Sequence, residues 1–237
     1  MTAQKRKLYL IPAPLGESPV GQVIPAGNLE IIQQLGHFVV EEEKTARRFL
    51  IRCGFKSKLE SARFYILNEH TDGQVIPAIF ADAGEADLGL ISEAGLPAVA
   101  DPGAKLVETA YRLNFRVIPL AGPSSLMLAL MASGLNGQSF AFNGYLPVKP
   151  AERTNRIRFY EKRSENEQQT QLFIEAPYRN NQLLEALLKS CKDSTRLCIA
   201  VNLTLHGEWI STKTIGEWRG QPAPDLNRQP AVFLLLG

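Results

Sequence analysis

The stretch GLISEAGLPAVADPG, residues 89–103, decides how this chain is read. The apolar run Leu88–Ile91 has the length and composition of a buried strand, and it stops at Ser92. Beyond it, Gly95, Pro97, Pro102 and Gly103 exclude both helix and ladder, and Glu93 and Asp101 bring carboxylates into the same loop. In α/β proteins, ligands sit in the crevice beyond the carboxyl ends of the strands. A core strand ending in a Gly/Pro loop with acids is therefore read as one wall of a site.

Working outward, strand patterns alternate with helical ones. KLYLIPAPLG is a strand and turn, IPAGNLEIIQQLG a helix stopped by Gly36, HFVV a strand and EEEKTARRFLIRCG a helix closed by Gly54. ARFYILN is a strand, and GQVIPAIFADAG a helix interrupted near Pro77. ADLGLIS, GAKLVETAYRLN, FRVIPL and SSLMLALMASG continue the strand–helix alternation. This pattern predicts an α/β architecture with a largely parallel sheet. After residue 137 the texture changes to a basic helix, KPAERTNRIRFYEKR, and several strands, ending in AVFLLLG. We expect an N-terminal α/β subdomain over 1–121, a C-terminal α+β subdomain over 122–237, and a cleft between them.

Composition narrows the function classes. Hydrophobic residues make up 45% and charged residues 21% of the 237, which suits folded domains. The net charge of +2 does not by itself argue for nucleic acid. The cysteines Cys53, Cys191 and Cys198 are an odd number with no C-x-x-C pair, and the histidines His37, His70 and His206 are far apart, so neither a disulfide framework nor a metal centre is expected. No run approaches the roughly 20 apolar residues of a membrane span, and the apolar run near the N-terminus is too short for a signal peptide, which points to the cytoplasm and to no membrane partner. Dinucleotide and P-loop glycine patterns are absent, and GPSSL lacks the final glycine of a nucleophile elbow.

Three segments together, LYLIPAPLG, GLISEAGLPAVADPGAKLV and VIPLAGPSS, resemble the tetrapyrrole-methylase superfamily of S-adenosylmethionine-dependent methyltransferases, and within it the ribosomal small-subunit RNA ribose 2'-O-methyltransferase I group. That group reads V-S-D-A-G-T-P-x-x-x-D-P-G, matched here by Ser92, Ala94, Gly95, Pro97, Asp101, Pro102 and Gly103. Its P-G-P is matched by Gly122 and Pro123, and its F-Y-E-S-x-H-R by Phe173, Glu175 and Arg179. Its E-D-T-R-x-T-R-x-L-L aligns with EEEKTARRFL, keeping Glu41, Arg47 and Leu50, and its late L-T with Leu203 and Thr204. Departures are Glu93 for the family's Asp, a longer first loop PLGESPVGQVIP, Val201 and Asn202 for a charged pair, and Tyr178 for its His.

The resemblance implies a methyltransferase with S-adenosyl-L-methionine as donor, held by Pro14, Ser92, Glu93, Ala94, Gly95, Asp101, Ser124, Ser125, Phe173 and Leu203. Glycines and alanines in the loop allow backbone to approach a ligand, and Ser124 and Ser125 open a helix where they either cap it or hold a carboxylate. Asp101 serves equally well as a turn residue. The implied acceptor is RNA of the small ribosomal subunit, and the implied assembly is a homodimer. Glu42 and Glu175 are the expected groups for orienting or deprotonating the acceptor hydroxyl, or else they are structural carboxylates. The basic stretches at 44–63 and 149–163 nominate Arg47, Arg48, Arg153 and Arg156 for RNA, with a solvated helix face as the alternative, and Arg179 of the matched LFIEAPYR segment is added to them. A tetrapyrrole or other small-molecule acceptor, and a non-catalytic RNA-binding or ribosome-assembly protein, remain open.

Overall fold

Strand β1 (Lys7–Ile11) buries Leu8 and Ile11 on alternate sides, because a strand with both faces covered needs apolar residues at successive positions. It belongs to a computed structural model that describes residues 5–237. The chain divides into two compact units, Met1–Ser124 and Ser125–Gly237.

In the first unit, β1 is followed by α1 (Val20–Val23), α2 (Ala26–Gln34), β2 (His37–Val40), α3 (Glu43–Arg52), β3 (Arg63–Ile66), α4 (Ile76–Ala83), β4 (Leu88–Ile91), α5 (Ala104–Arg112) and β5 (Arg116–Pro119). The strands pair in the order β3-β2-β4-β1-β5, all parallel. Each crossover lays helices on the sheet, so two cores form. One joins Tyr9, Ile11, Phe38 and Val40 to Ile32, Phe49 and Leu50. The other joins Leu8, Val39, Leu88 and Leu90 to Ile79, Phe80 and Leu106. Pro77 lies in the first turn of α4 rather than interrupting a helix: there it lacks only an N–H that has no intrahelical partner. The short α1 lies in the extended first loop, where the residues Pro19–Val23 carry no helical periodicity to read.

The first unit runs to Ser124, and its Ala121–Pro123 turn packs back on residues before it. Asn28 Nδ2 donates to the Ala121 carbonyl at 2.7 Å. A Cβ on Gly122 would stand 2.3 Å from Cβ and Cγ of Pro12, so only glycine fits against that rigid ring.

The second unit runs α6 (Ser125–Ser133), β6 (Phe140–Phe142), α7 (Pro150–Glu167), β7 (Thr170–Ile174), α8 (Asn180–Ser190), β8 (Arg196–Val201), β9 (Trp209–Thr214), α9 (Ile215–Arg219) and β10 (Ala231–Leu236). Its sheet has the order β6-β7-β10-β8-β9, with β6 and β7 parallel and the other pairs antiparallel. Strand β10 is buried at every position. Helix α9, not expected from the sequence, begins with a capping box in which Thr214 and Glu217 satisfy each other's backbone N–H groups. Among the described residues, no helix is long and apolar enough to cross a membrane.

Gly122→Ala should lower the melting temperature of the full chain by several degrees, the scale of a 1–3 kcal/mol overpacking strain (roughly). Gly21→Ala, whose Cβ meets nothing within 4 Å, should leave it unchanged or slightly raised. Thermal unfolding followed by circular dichroism compares the two, and equal melting points would contradict this account of the turn.

Candidate active site at the carboxyl edge of the first sheet

Parallel register brings three strand ends level. Ile11 pairs with Ile91, and Ile91 with Val40, so Pro12, Ser92 and Glu41 leave the sheet side by side. The loops after β1 and β4 are then tied together. Ala13 N–H donates to the Gly95 carbonyl at 2.9 Å, and Gly95 N–H to the Ala13 carbonyl at 3.0 Å. Gly95 has φ +74°, a conformation that favours glycine, and a Cβ there would come 3.3 Å from Leu15 Cδ2. Gly95 therefore serves the loop, and its N–H and C=O are spent on Ala13 rather than presented to a ligand. Further along, Ala98 and Ala100 hold φ of +63° and +64° without being glycines, a strained path of the kind that collects at functional loops.

Carboxylates gather on this edge. Glu93 N–H donates to Glu41 Oε1 at 3.3 Å. Burial, and then the repulsion of Asp101, push the Glu41 carboxyl up to about 7. Burial also raises Asp101, although the Ser92 hydroxyl opposes the rise, and it raises Glu93. No Lys or Arg forms an ion pair with these three among the described residues. Glu42 behaves differently. It caps α3, accepting from Lys44 N–H at 3.1 Å, Thr45 N–H at 2.9 Å and the Thr45 hydroxyl, and these bonds hold its carboxyl below the usual range. Beside the cluster lies a cavity of about 200 Å³, lined by Pro14, Arg48, Phe49, Ser92 and Glu93 among others. The Ser92 side-chain oxygen is buried and faces the Asp101 carboxylate, without a hydrogen bond of full geometry.

No protein-family model matches the chain. Curated relatives do. A ribosomal RNA small subunit methyltransferase I of Mesorhizobium japonicum is 32% identical over 88% of this chain and 67% of its own length. The chain belongs to the ribosomal RNA small subunit methyltransferase I family. Members from Escherichia coli and Pseudomonas aeruginosa are each 29% identical over 97% of this chain and 77% of their own length. Two solved structures share the fold: the methyltransferase CobJ, with TM-score 0.63 over 99% of this chain and 95% of its own, and the uroporphyrin-III C-methyltransferase of Thermus thermophilus, with TM-score 0.53 over 98% and 93%. Each is 16% identical to this chain.

Within this family member, the structure brings together Pro14, Ser92, Glu93, Ala94, Gly95 and Asp101 at the carboxyl edge. Ser124 and Ser125 stand at the start of α6, both partly exposed. Phe173 does not offer a side chain to a ligand: it is fully buried in β7, paired with Phe233 and packed against Tyr160 at 5.3 Å. Leu203 is buried between Asn202 and Thr204, whose φ values are +51° and +67°. The buried Thr204 hydroxyl has no partner.

Glu175 is engaged through one oxygen, and its Oε2 is buried without a partner. It is buried, and its Oε1 accepts from Arg179 Nη2 at 2.5 Å and from Ala176 N–H at 2.8 Å. Arg179 is spent on that pair instead of on a solvent-facing contact. Arg153 is 5% exposed and donates to the Val148 carbonyl at 2.7 Å, so it braces the start of α7 rather than an outer surface. Arg47 pairs with Glu43 at 2.7 Å and covers the Phe64 ring, whereas Arg48 and Arg156 are exposed. Glu41 was matched as a motif residue but given no role by sequence reasoning. Its position, the first residue beyond the buried strand HFVV, is the signal that could have found it.

Glu41 also makes stability depend on pH. Its carboxyl lies above the ordinary 4.5 in the folded chain, so the stabilisation from its proton is present below about 4.5 and is lost as pH rises through 7. Glu41→Gln keeps an acceptor for the Glu93 N–H and removes the charge. After allowance for solvent screening the gain is about 1 kcal/mol, or roughly 2–4 °C of melting temperature at pH 8, shrinking to nothing near pH 4.5. A variant that melts below wild type at pH 8 would contradict the electrostatic account.

Proposed function

We propose that this protein is an S-adenosylmethionine-dependent methyltransferase that modifies a ribose 2'-hydroxyl in the RNA of the small ribosomal subunit. The observation that carries the reading is the family likeness over nearly the whole chain, together with the Ser92–Gly103 loop, which sits beyond β4 and is tied to the loop after β1. A tetrapyrrole acceptor has weaker support, because the structures of that kind resemble this one only in fold.

The residues at the edge suit the donor. The buried Ser92 hydroxyl faces the Asp101 carboxylate and keeps its oxygen lone pairs for a ligand donor. Pro14, Ala94 and Gly95 keep the wall low, and the uncompensated carboxylates Glu41, Glu93 and Asp101 suit a cationic molecule. When bound, the donor supplies an electrophilic methyl group on a positively charged sulfur. The chain must then hold the acceptor oxygen in line and receive its proton as the new C–O bond forms. We assign the proton to Glu41 rather than Glu42, because a carboxylate near 7 is the stronger base and a cap held below the usual range is the weaker one. A cationic ligand beside the cluster would lower Glu41 and keep it ionised at neutral pH.

Ribosomal RNA from cells with and without the gene, mapped by mass spectrometry, should differ by one 2'-O-methyl group in the small subunit, and the purified protein with donor should restore it. No difference would remove the assignment. Ser92→Ala should bind the donor about 5-fold more weakly by calorimetry, the worth of one hydrogen bond, without losing thermal stability. Unchanged affinity would take Ser92 out of the donor site.

A further inference from the structure

Helix α7 turns Arg153, Ile157, Glu161 and Ser164 inward. Its outer face is less ordinary. Phe159 is 53% exposed in the middle of a helix that is otherwise polar on that side. The residues three and four positions away, Asn155, Arg156, Lys162 and Arg163, surround it on the helix surface. Arg163 is paired with Glu167 at 3.1 Å. Arg156, Arg158 and Lys162 are exposed and make no ion pair among the described residues. The nearby acids are already taken: Glu152 by Lys149, Glu165 by Lys192, and Glu161 by Lys192 N–H and Thr195.

The aromatic group is also held from behind. Phe159 meets Tyr160 edge-on at 5.3 Å, and Tyr160 packs on the buried Phe173 at 5.3 Å. The Arg156 guanidinium lies 5.5 Å from the Phe159 ring and 5.4 Å from the Tyr160 ring. An exposed ring braced from behind, with Arg156 against it and the exposed cations Arg158 and Lys162 on the same helix, is an arrangement that can take an unpaired base on the ring and its phosphates on the cations. A duplex would use only the cations, since its bases are stacked on one another. An apolar partner surface would leave three charges to be desolvated without counter-ions.

We propose that the outer face of α7, centred on Phe159 with Arg156, Arg158 and Lys162, is a stacking platform for an unpaired nucleotide of a single-stranded RNA segment. This rests on the reading of the protein as an RNA methyltransferase and adds which structural class of RNA it holds and where.

The test uses the full chain and a fluorescein-labelled twelve-nucleotide RNA, single-stranded or annealed to its complement, at two salt concentrations. Phe159→Ala should weaken single-strand binding roughly ten-fold and leave duplex binding unchanged. Arg158→Gln with Lys162→Gln should flatten the slope of log K against log salt by about 1.4 for the single strand. Both positions are exposed, so the variants should keep the wild-type melting temperature. Phe159→Ala binding the single strand as wild type does, losing duplex and single strand equally, or instead losing affinity for vesicles of phosphatidylserine and phosphatidylcholine while RNA binding holds, would each overturn the platform. So would failure of wild type to bind the single strand at all. Methylation of small-subunit RNA by wild type is scored separately, so the catalytic reading stands or falls without the platform.

Discussion

Two hydrogen bonds between Ala13 and Gly95 hold the working edge of the first unit together. They require β1 and β4 to be neighbours in register, which the order β3-β2-β4-β1-β5 provides, and they require a residue that tolerates φ +74° at position 95. With that tie in place, the loop of residues 92–103 has a fixed start. Gly103, where a Cβ would come 2.8 Å from Leu90 Cδ2, fixes its return to α5. Gly122, pressed against Pro12, brings the last turn of the unit to the same strand end. Each glycine is there for a close approach or a left-handed backbone, and together they leave a low-walled edge.

The electrostatics follow from the same constraint. Strands ending level place Glu41, Glu93 and Asp101 near one another, and partial burial then deprives them of water without supplying a cation. Such an arrangement costs folding energy at neutral pH. It is the kind of local expense that ligand-binding edges carry, because a positive ligand recovers it. Glu42, one residue along, shows how sharply placement decides chemistry. The same side chain, turned onto the N-terminus of α3, becomes a satisfied cap.

The second unit distributes its charged groups differently. Glu175 with Arg179, Glu161 with Thr195, and Arg153 with Val148 are internal braces, although Glu175 Oε2, Arg179 Nε and Arg153 Nε are buried without a partner. Arg156, Arg158 and Lys162, which take no part in these braces, lie exposed on α7.

Most strands and helices were legible in the sequence, because apolar periodicity and Gly/Pro punctuation are local signals. So was the irregular loop of residues 92–103 beyond a strand end, since no packed element is written with that many helix and strand breakers. Helix α9 was not, because its five residues, opened by the capping box of Thr214 and Glu217, are too few to show periodicity. Strand order was not legible, because the choice of β4 as a neighbour for both β1 and β2 is made by contacts distant in sequence. Nor was the inward or outward fate of a charged residue. Arg153 and Arg156 lie three positions apart on one helix, and packing buries the first and leaves the second free. The sequence by itself determined the element types, the loop chemistry and the family. Only the tertiary structure decided which carboxylate keeps its proton near neutrality, because burial and neighbouring charge are properties of the assembled edge and not of any residue alone.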